Sequence, residues 1–243
     1  MSEMQETYSF MKWWRDLLAE ISTTSSTQCV LSVVAREARD LDFDFYTFAV
    51  KQGTPFTQPK TEVRGNFPAA WLDRYHAKNY SADDPTIALG SSASKFVVWS
   101  RDVKEKNPTL FSEAAEWGLK FGVTLTAVGA GNALRILSFA RREEDIQDAQ
   151  IAELELRMSC VLDALTRRLN ALESAGGRAP ISLSSRETEI LKWTADGKST
   201  DEVAAILEIS INTVNFHIKN IQKKFSARNK LSAAAQAAAL RLI

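Results

Sequence analysis

Apolar positions along the chain follow two periods, and the changes between them mark the elements. Over 6–21 and 27–41 apolar side chains recur every three or four residues, which predicts two amphipathic helices. Phe43–Val50 is short and rich in aromatic residues, and reads as a strand. Lys95–Trp99, Phe121–Val128 and Ala133–Ala140 read the same way, and Thr61–Arg64 makes a short fifth strand. Gly129-Ala-Gly-Asn132 between the last two long strands is a hairpin signal. Helical spacing returns over 67–79, 109–119 and 145–173. Antiparallel strands with helices on both faces predict an α+β fold, an α-β-α sandwich that can enclose a small molecule between sheet and helices. In the last of these helices Ile151, Leu154, Met158, Val161, Leu165, Leu169 and Leu172 form a heptad-like stripe. That stripe packs on its own sheet or also takes a partner helix from a second subunit. Leu156 and Leu162 lie off it, and both arrangements stay open.

The pattern breaks at Ser174-Ala-Gly-Gly-Arg-Ala-Pro180, where small residues, paired glycines and a proline predict a flexible linker. The organisation that follows is a first domain over 1–173, a linker over 174–181 and a second domain over 182–243. In the second, Ser184 and Glu187 form a capping box ahead of Ile190, Leu191 and Trp193, and Gly197 stops that helix. A short helix with Val203, Ala204 and Leu207 inward is followed by a turn at Ile209-Ser210. The next helix carries Val214, Ile218, Ile221 and Phe225 on one face. Two helices joined by so tight a turn predict a helix-turn-helix within an all-α four-helix domain.

Charge sharpens this division. The whole chain carries 30 basic and 30 acidic residues, yet 182–243 has an excess of three positive charges, and no acidic side chain follows Glu208. A basic end on an acidic body suits nucleic acid. The outer face of the second helix of the pair bears Asn212, Phe216, Lys219 and Lys223, with Asn215 on its flank and Thr213 near its start. Lysines neutralise phosphates or reach guanine, and asparagine can pair with adenine. A solvated face of an ordinary bundle would look similar, but the missing carboxylates favour DNA. Cys29 and Cys160 are far apart and read as free buried thiols in a reducing compartment. Two histidines and two cysteines make a Cys/His metal site improbable, so no metal and no cofactor are expected. The first ten residues lack a secretory signal, and no run of about 18 apolar residues spans a bilayer. No membrane contact and a cytoplasmic location are expected.

Leu183-Ser-Ser-Arg-Glu187, Leu191, Gly197-Lys-Ser199, Val203-Ala204, Leu207, Ile209-Ser210 and Thr213-Val214-x-x-His217-x-x-Asn220-Ile-x-x-Lys224-Phe225 resemble the LuxR-type helix-turn-helix. That resemblance implies a four-helix DNA-binding module whose last helix, here 230–242 with Leu231, Ala235, Ala238 and Leu242 on one side, pairs two copies on a palindromic site of double-stranded DNA. A phosphate-receiver domain would need an acidic pair and a phosphorylatable aspartate at strand ends, and none can be placed. Instead Trp71-Leu-Asp-Arg-Tyr75, Asp84-Pro85, Trp99, Trp117-Gly118 and Gly122 resemble the acyl-homoserine-lactone-binding domain of quorum-sensing regulators in the same family.

By that resemblance the Trp71 indole N–H meets the lactone carbonyl and Asp84 takes the amide N–H. Tyr75, one turn after Trp71, covers the head group or acyl chain. Trp99 walls the ring, Gly122 lets the sheet backbone pass close behind, and Ser138 donates to the acyl carbonyl. Each alone has a plainer reading, since a tryptophan on an amphipathic helix is usually core and an Asp before Pro is usually a cap. Two positions depart from the family pattern. Phe67 stands where a tyrosine often bonds the acyl carbonyl, and Thr126 stands where proline is common. The implied protein is a homodimeric regulator with an N-acyl-homoserine lactone and DNA as partners and no catalytic residues. An enzyme on such lactones would need a nucleophile–base pair or a metal cluster. The chain has no G-x-S-x-G or H-E-x-x-H, and His76 and His217 fall in different domains. A regulator that is ligand-independent, or bound to a different small molecule, is the alternative.

Overall fold

The computed structural model describes residues 2–55, 59–88, 95–129, 132–175 and 181–243, with backbone alone at residues 2–4 and 6. In chain order the elements are α1 (Ser2–Thr23), α2 (Thr27–Asp40), β1 (Phe45–Lys51), β2 (Thr61–Gly65), α3 (Ala69–Ala77), a 3-10 turn Tyr80–Ala82, α4 (Pro85–Ala88), β3 (Lys95–Val98), α5 (Arg101–Lys104), α6 (Pro108–Glu116), β4 (Phe121–Val128), β5 (Leu134–Arg141), α7 (Asp148–Ala175), α8 (Ser185–Ala195), α9 (Thr200–Ile206), α10 (Ile211–Phe225) and α11 (Lys230–Ala239). The chain divides into two compact units. One comprises Met1–Val50, Glu62–Val128 and Arg135–Arg178, the other Lys51–Thr61, Gly129–Leu134 and Ala179–Ile243. Residues 130–131 of the expected hairpin loop and 176–180 of the expected linker lie outside the described residues.

The first unit is the expected α-β-α sandwich around a five-stranded antiparallel sheet of order β2-β1-β5-β4-β3. Strand alternation sorts its side chains into two faces. Tyr46, Phe48, Val123, Leu125, Leu137 and Phe139 pack against Leu17 and Ile21 of α1, Val30 and Val34 of α2, and Met158, Val161 and Leu165 of α7. On the opposite face Phe45, Val97, Trp99 and Ala140 meet Trp71 of α3 and Leu110, Phe111 and Ala114 of α6. β3 and β4 pair antiparallel with Val97 opposite Thr124.

Several boundaries differ from the sequence expectation for local reasons. The helix expected over 67–79 begins only at Ala69, because the residue before a proline is driven to extended backbone and Phe67 precedes Pro68. It ends where Asn79 takes a left-handed conformation, φ 52°. The helix expected over 109–119 starts one residue earlier, capped by the Asn107 side chain with Pro108 in its first turn, and stops before Gly118 at φ 84°. Two expectations are corrected. Leu162 is buried in its own unit's core, so it is not free for a partner helix, whereas Leu156 is exposed. The cysteines are free but not buried: Cys29 is exposed and Cys160 half-buried.

In the second unit Ile190, Leu191, Val203, Ala204, Val214, Ile221, Phe225, Ala233 and Ala237 form one core over four helices. Ser184 with Glu187, and Ser199 with Glu202, each close a capping box, and Ser210 and Asn229 cap the last two helices. Gly197, at φ 86°, follows the end of α8, as its glycine predicted.

Candidate functional site

The sheet face toward α3 and α6 is unusually polar for a buried surface. It carries Thr47, Thr124, Thr126 and Ser138, all buried, between the aromatic side chains. An inert core would favour β-branched apolar residues there, because each buried hydroxyl needs a partner.

The structure brings all seven residues expected at the pocket into one connected group. Trp71 is 3% exposed and stands 5.9 Å, ring to ring, from Tyr75 one turn later. The Tyr75 hydroxyl donates to Asp84 Oδ2 at 2.8 Å. Burial, then the Asp84 charge and this hydrogen bond, push the Tyr75 phenol far above its ordinary value, so it stays a donor. Asp84 Oδ1 accepts the Thr86 backbone N–H at 2.8 Å and its hydroxyl at 2.7 Å. The plainer reading of Asp-Pro as a helix cap is therefore also realised, since these bonds start α4. The Trp71 indole N–H makes no hydrogen bond among the described residues.

Trp99 lies across Gly122. A Cβ there would fall 2.7 Å from both the Phe139 carbonyl oxygen and Trp99 Cε3. Gly122→Ala is expected to destabilise the first unit by about 1–3 kcal/mol through this overlap. A urea titration should show a lower midpoint with an unchanged slope. Trp99 Nε1 donates to Thr124 Oγ1 at 3.0 Å, and Thr124 Oγ1 lies 3.0 Å from Ser138 Oγ. Since Thr124 Oγ1 already accepts from Trp99, it can pass its own proton to Ser138, which leaves the Ser138 hydroxyl proton free for another acceptor. Phe67 is half-buried and meets Phe45 edge-on at 6.3 Å, an apolar contact in keeping with its missing hydroxyl. Beyond Trp99 and Phe111 a groove of about 450 Å³ opens toward solvent, with Lys104 4.9 Å above the Phe121 ring; burial lowers the Lys104 ammonium pKa.

Three participants escaped the sequence reading. Tyr80 packs on Trp71 at 6.1 Å and on Tyr75 at 5.8 Å, because the left-handed Asn79 turns the chain back over α3. Glu113 of α6 then fixes this assembly. It accepts Arg74 Nε at 2.7 Å, Lys78 Nζ at 2.6 Å and the Tyr80 hydroxyl at 2.9 Å. Arg74 first, then Lys78, hold its carboxyl down to about 2. Thr124 was legible in principle, since it lies two residues from Gly122 and so on the same face.

In the second unit α9 and α10 meet through a turn in which Glu208 is left-handed, φ 53°. Asn212, Asn215, Phe216, Lys219 and Lys223 are all exposed along α10, Phe216 at 61%. Thr213 is different: it is half-buried, and its hydroxyl lies 2.8 Å from Ser210 Oγ at the helix cap. Among the described residues no group of His, Cys, Asp or Glu could hold a metal ion, and no helix is long and apolar enough to cross a membrane.

Residues 26–169 match the family model described as the autoinducer binding domain, and residues 181–237 match that of bacterial regulatory proteins of the luxR family. The chain belongs to the LuxR family. Within it, Trp193-Thr-Ala-Asp-Gly-Lys-Ser199 and Val214-Asn-Phe-His217 resemble the RhlR type, as does 55–62, part of which lies outside the described residues. The HTH-type quorum-sensing regulator RhlR of Pseudomonas aeruginosa is 47% identical over 99% of this chain and 100% of its own. The crystal structure of Escherichia coli SdiA superposes with a TM-score of 0.84 at 36% identity, covering 96% of this chain and 99% of SdiA. SdiA in complex with octanoyl-rac-glycerol gives 0.81 at 36% identity, with 95% of each chain covered. As a LuxR-family member the chain is a transcriptional regulator that joins an autoinducer-binding domain to a helix-turn-helix DNA-binding domain.

Proposed function

We propose that this regulator binds an N-acyl-homoserine lactone against the hydroxyl-bearing face of its sheet and, so loaded, controls promoters as a homodimer on a palindromic site. The ligand-binding part is taken as 1–173 and the DNA-binding part as 182–243, joined by 174–181, in the cytoplasm. The observation that carries the ligand is a match of donors and acceptors. An acyl-homoserine lactone offers two carbonyl acceptors and one N–H donor. The protein offers the unpartnered Trp71 N–H, the Ser138 hydroxyl and the buried Asp84 carboxylate, set among aromatic rings. No catalytic step and no cofactor enter this reading.

The dimer is supported by exposed apolar side chains. Leu231 on α11 is 63% exposed, and Tyr8, Met11 and Leu18 share a face of α1. Half-sites one or so helical turns apart would follow from two-fold symmetry. For DNA, Lys219→Ala is expected to weaken binding across all sequences and to reduce the slope of log K against log salt by about 1. Asn215→Ala should instead relax preference at one base pair, by about 1–3 kcal/mol. Fluorescence anisotropy at several salt concentrations separates the two effects.

The ligand reading is tested by thermal unfolding of the full chain with a panel of acyl-homoserine lactones and with 1-octanoylglycerol, the ligand class in the SdiA complex. At a hundredfold excess over Kd, binding adds about 2.7 kcal/mol. That corresponds to about 5–10 °C for a unit of this size. A rise that depends on acyl-chain length supports the lactone. A rise with the acylglycerol alone replaces it, and no rise in a folded, DNA-binding protein leaves a ligand-independent regulator.

A further inference from the structure

A second space lies beside the sheet pocket. Pro108, Phe111, Ser112 and Ala115 recur every three or four residues, so one face of α6 borders the groove of about 450 Å³ that opens toward solvent. Trp99 and Phe121 complete its apolar lining, and Trp99 meets Phe111 edge-on at 5.8 Å. Of the seven residues expected at the lactone, only Trp99 reaches this groove. Trp71, Asp84 and Ser138 do not line it.

The charges of the groove are unbalanced. The Lys104 ammonium stands 4.9 Å above the Phe121 ring and makes no ion pair or hydrogen bond among the described residues. Both carboxylates of the groove are engaged elsewhere. Glu105 accepts Arg101 Nε at 2.8 Å, and Asp145 accepts the Ile146 backbone N–H at 2.8 Å. Lys120, exposed, adds another positive charge to the lining. On the opposite side of α6, by contrast, Glu113 neutralises both Arg74 and Lys78. Lys104 is half-buried, and its lost hydration lowers the ammonium pKa against the pull of the Asp145 charge. A methionine would cover Phe121 without that cost, so the charge gains a use when an anion meets it.

We propose that this groove binds a small aromatic carboxylate, its ring among Phe121, Phe111 and Trp99 and its carboxylate on the Lys104 ammonium. Three rings in the lining favour a flat aromatic body over an alkyl chain. The proposal does not depend on what occupies the sheet pocket.

The test titrates the full chain by calorimetry with 2-naphthoate, with 2-naphthamide as its neutral counterpart, and with octanoate as an alkyl carboxylate. Wild type is expected to bind one 2-naphthoate per chain, about tenfold tighter than the amide. That advantage should shrink as salt is added. Lys104→Met should remove it and Lys104→Arg should keep it, while Lys120→Met, at an exposed position, should change it by less than about twofold. The comparison of acid with amide on wild type needs no variant, and Lys104→Met, relieved of a desolvated charge, should melt no lower than wild type. Equal affinity for acid and amide, no binding of either, or an acid preference that survives Lys104→Met overturns the proposal. Tighter binding of octanoate than of 2-naphthoate overturns the aromatic class. Displacement of 2-naphthoate by a saturating acyl-homoserine lactone would put the probe in the sheet pocket, and overturns the groove as its site.

Discussion

Asp84→Asn is expected to raise the Kd for the lactone at least about thirtyfold, while the protein stays folded. A carboxylate offers about four acceptor sites and no donor. Three of those sites are taken, by the Tyr75 hydroxyl and by the Thr86 N–H and hydroxyl. The fourth is what remains for an amide N–H. Asparagine keeps one oxygen and places an NH2 where the other was. If its oxygen serves Thr86, the NH2 faces the Tyr75 hydroxyl and the ligand. If it turns over, the NH2 faces two donors of Thr86. Either way buried donors confront one another, and truncating a buried charged hydrogen-bond partner costs about 2–5 kcal/mol. Two kcal/mol is about thirtyfold in Kd. Tyr75→Phe removes only one donor and should cost about 1 kcal/mol. Titration calorimetry checks both, and an Asp84→Asn protein within threefold of wild type would remove Asp84 from ligand recognition.

This site was half legible in the sequence. Trp71 and Tyr75 are four apart, so any helix puts them on one face, whereas Trp99, Gly122 and Ser138 belong to three successive strand segments and only the strand register brings them to one side of the sheet. What the sequence could not show are contacts that depend on irregular backbone. Tyr80 reaches Trp71 only because Asn79 is left-handed. Glu113 meets Arg74 and Lys78 only once α6 lies beside α3, and a lone glutamate on an amphipathic helix carries no such signal. The short helices α4 and α5, four residues each, are below the length at which a period can be read. The misjudged burial of the cysteines has a similar origin. Cys29 falls in the first turn of α2, one residue before the buried Val30, and residue type alone does not fix which side of that boundary it takes.

The hydroxyls gain meaning when strands are read together. Along each of β1, β4 and β5 one face is apolar and fills the core against α1, α2 and α7. The other face places Thr47 between Phe45 and Ala49 on β1, Thr124 and Thr126 after Gly122 on β4, and Ser138 between Ile136 and Ala140 on β5. A single buried threonine on a strand is ordinary. The same face bearing Thr47, Ser138 and Thr124 on three adjacent strands is a lining, and it says that this side of the sheet is built to meet something polar.

The second large effect lies in the DNA-binding domain. Glu187→Ala is expected to lower the stability of that domain by about 2–3 kcal/mol. Glu187 is 4% exposed and does two jobs with one oxygen. Its Oε2 accepts the Ser184 backbone N–H at 2.7 Å, closing the cap of α8, and the Lys224 ammonium, also at 2.7 Å. Lys224 in turn donates to the Ser182 carbonyl at 2.9 Å, so the carboxylate joins the entry of α8 to the end of α10. Loss of a cap alone costs about 1 kcal/mol. Loss of the ion pair adds less than for a fully buried one, because the Lys224 side chain is 38% exposed and water can replace part of the carboxylate. A core this small has little stability to spare. Burial alone would raise the Glu187 carboxyl, but hydrogen bonds from Lys224 and Ser184, with the Lys224 charge, together hold it below its ordinary value. A carboxyl lowered on folding contributes fully above its unfolded pKa, near 4.3, and loses that contribution as pH falls through the folded value. Hydrogen exchange of α8 and α10 amides in the full chain should therefore speed up as pH drops below about 4 in wild type, beyond the intrinsic pH effect. Glu187→Gln should lack that extra dependence. Opening free energies within about 0.5 kcal/mol of wild type in Glu187→Ala would show that the cap and the ion pair do not hold these helices together.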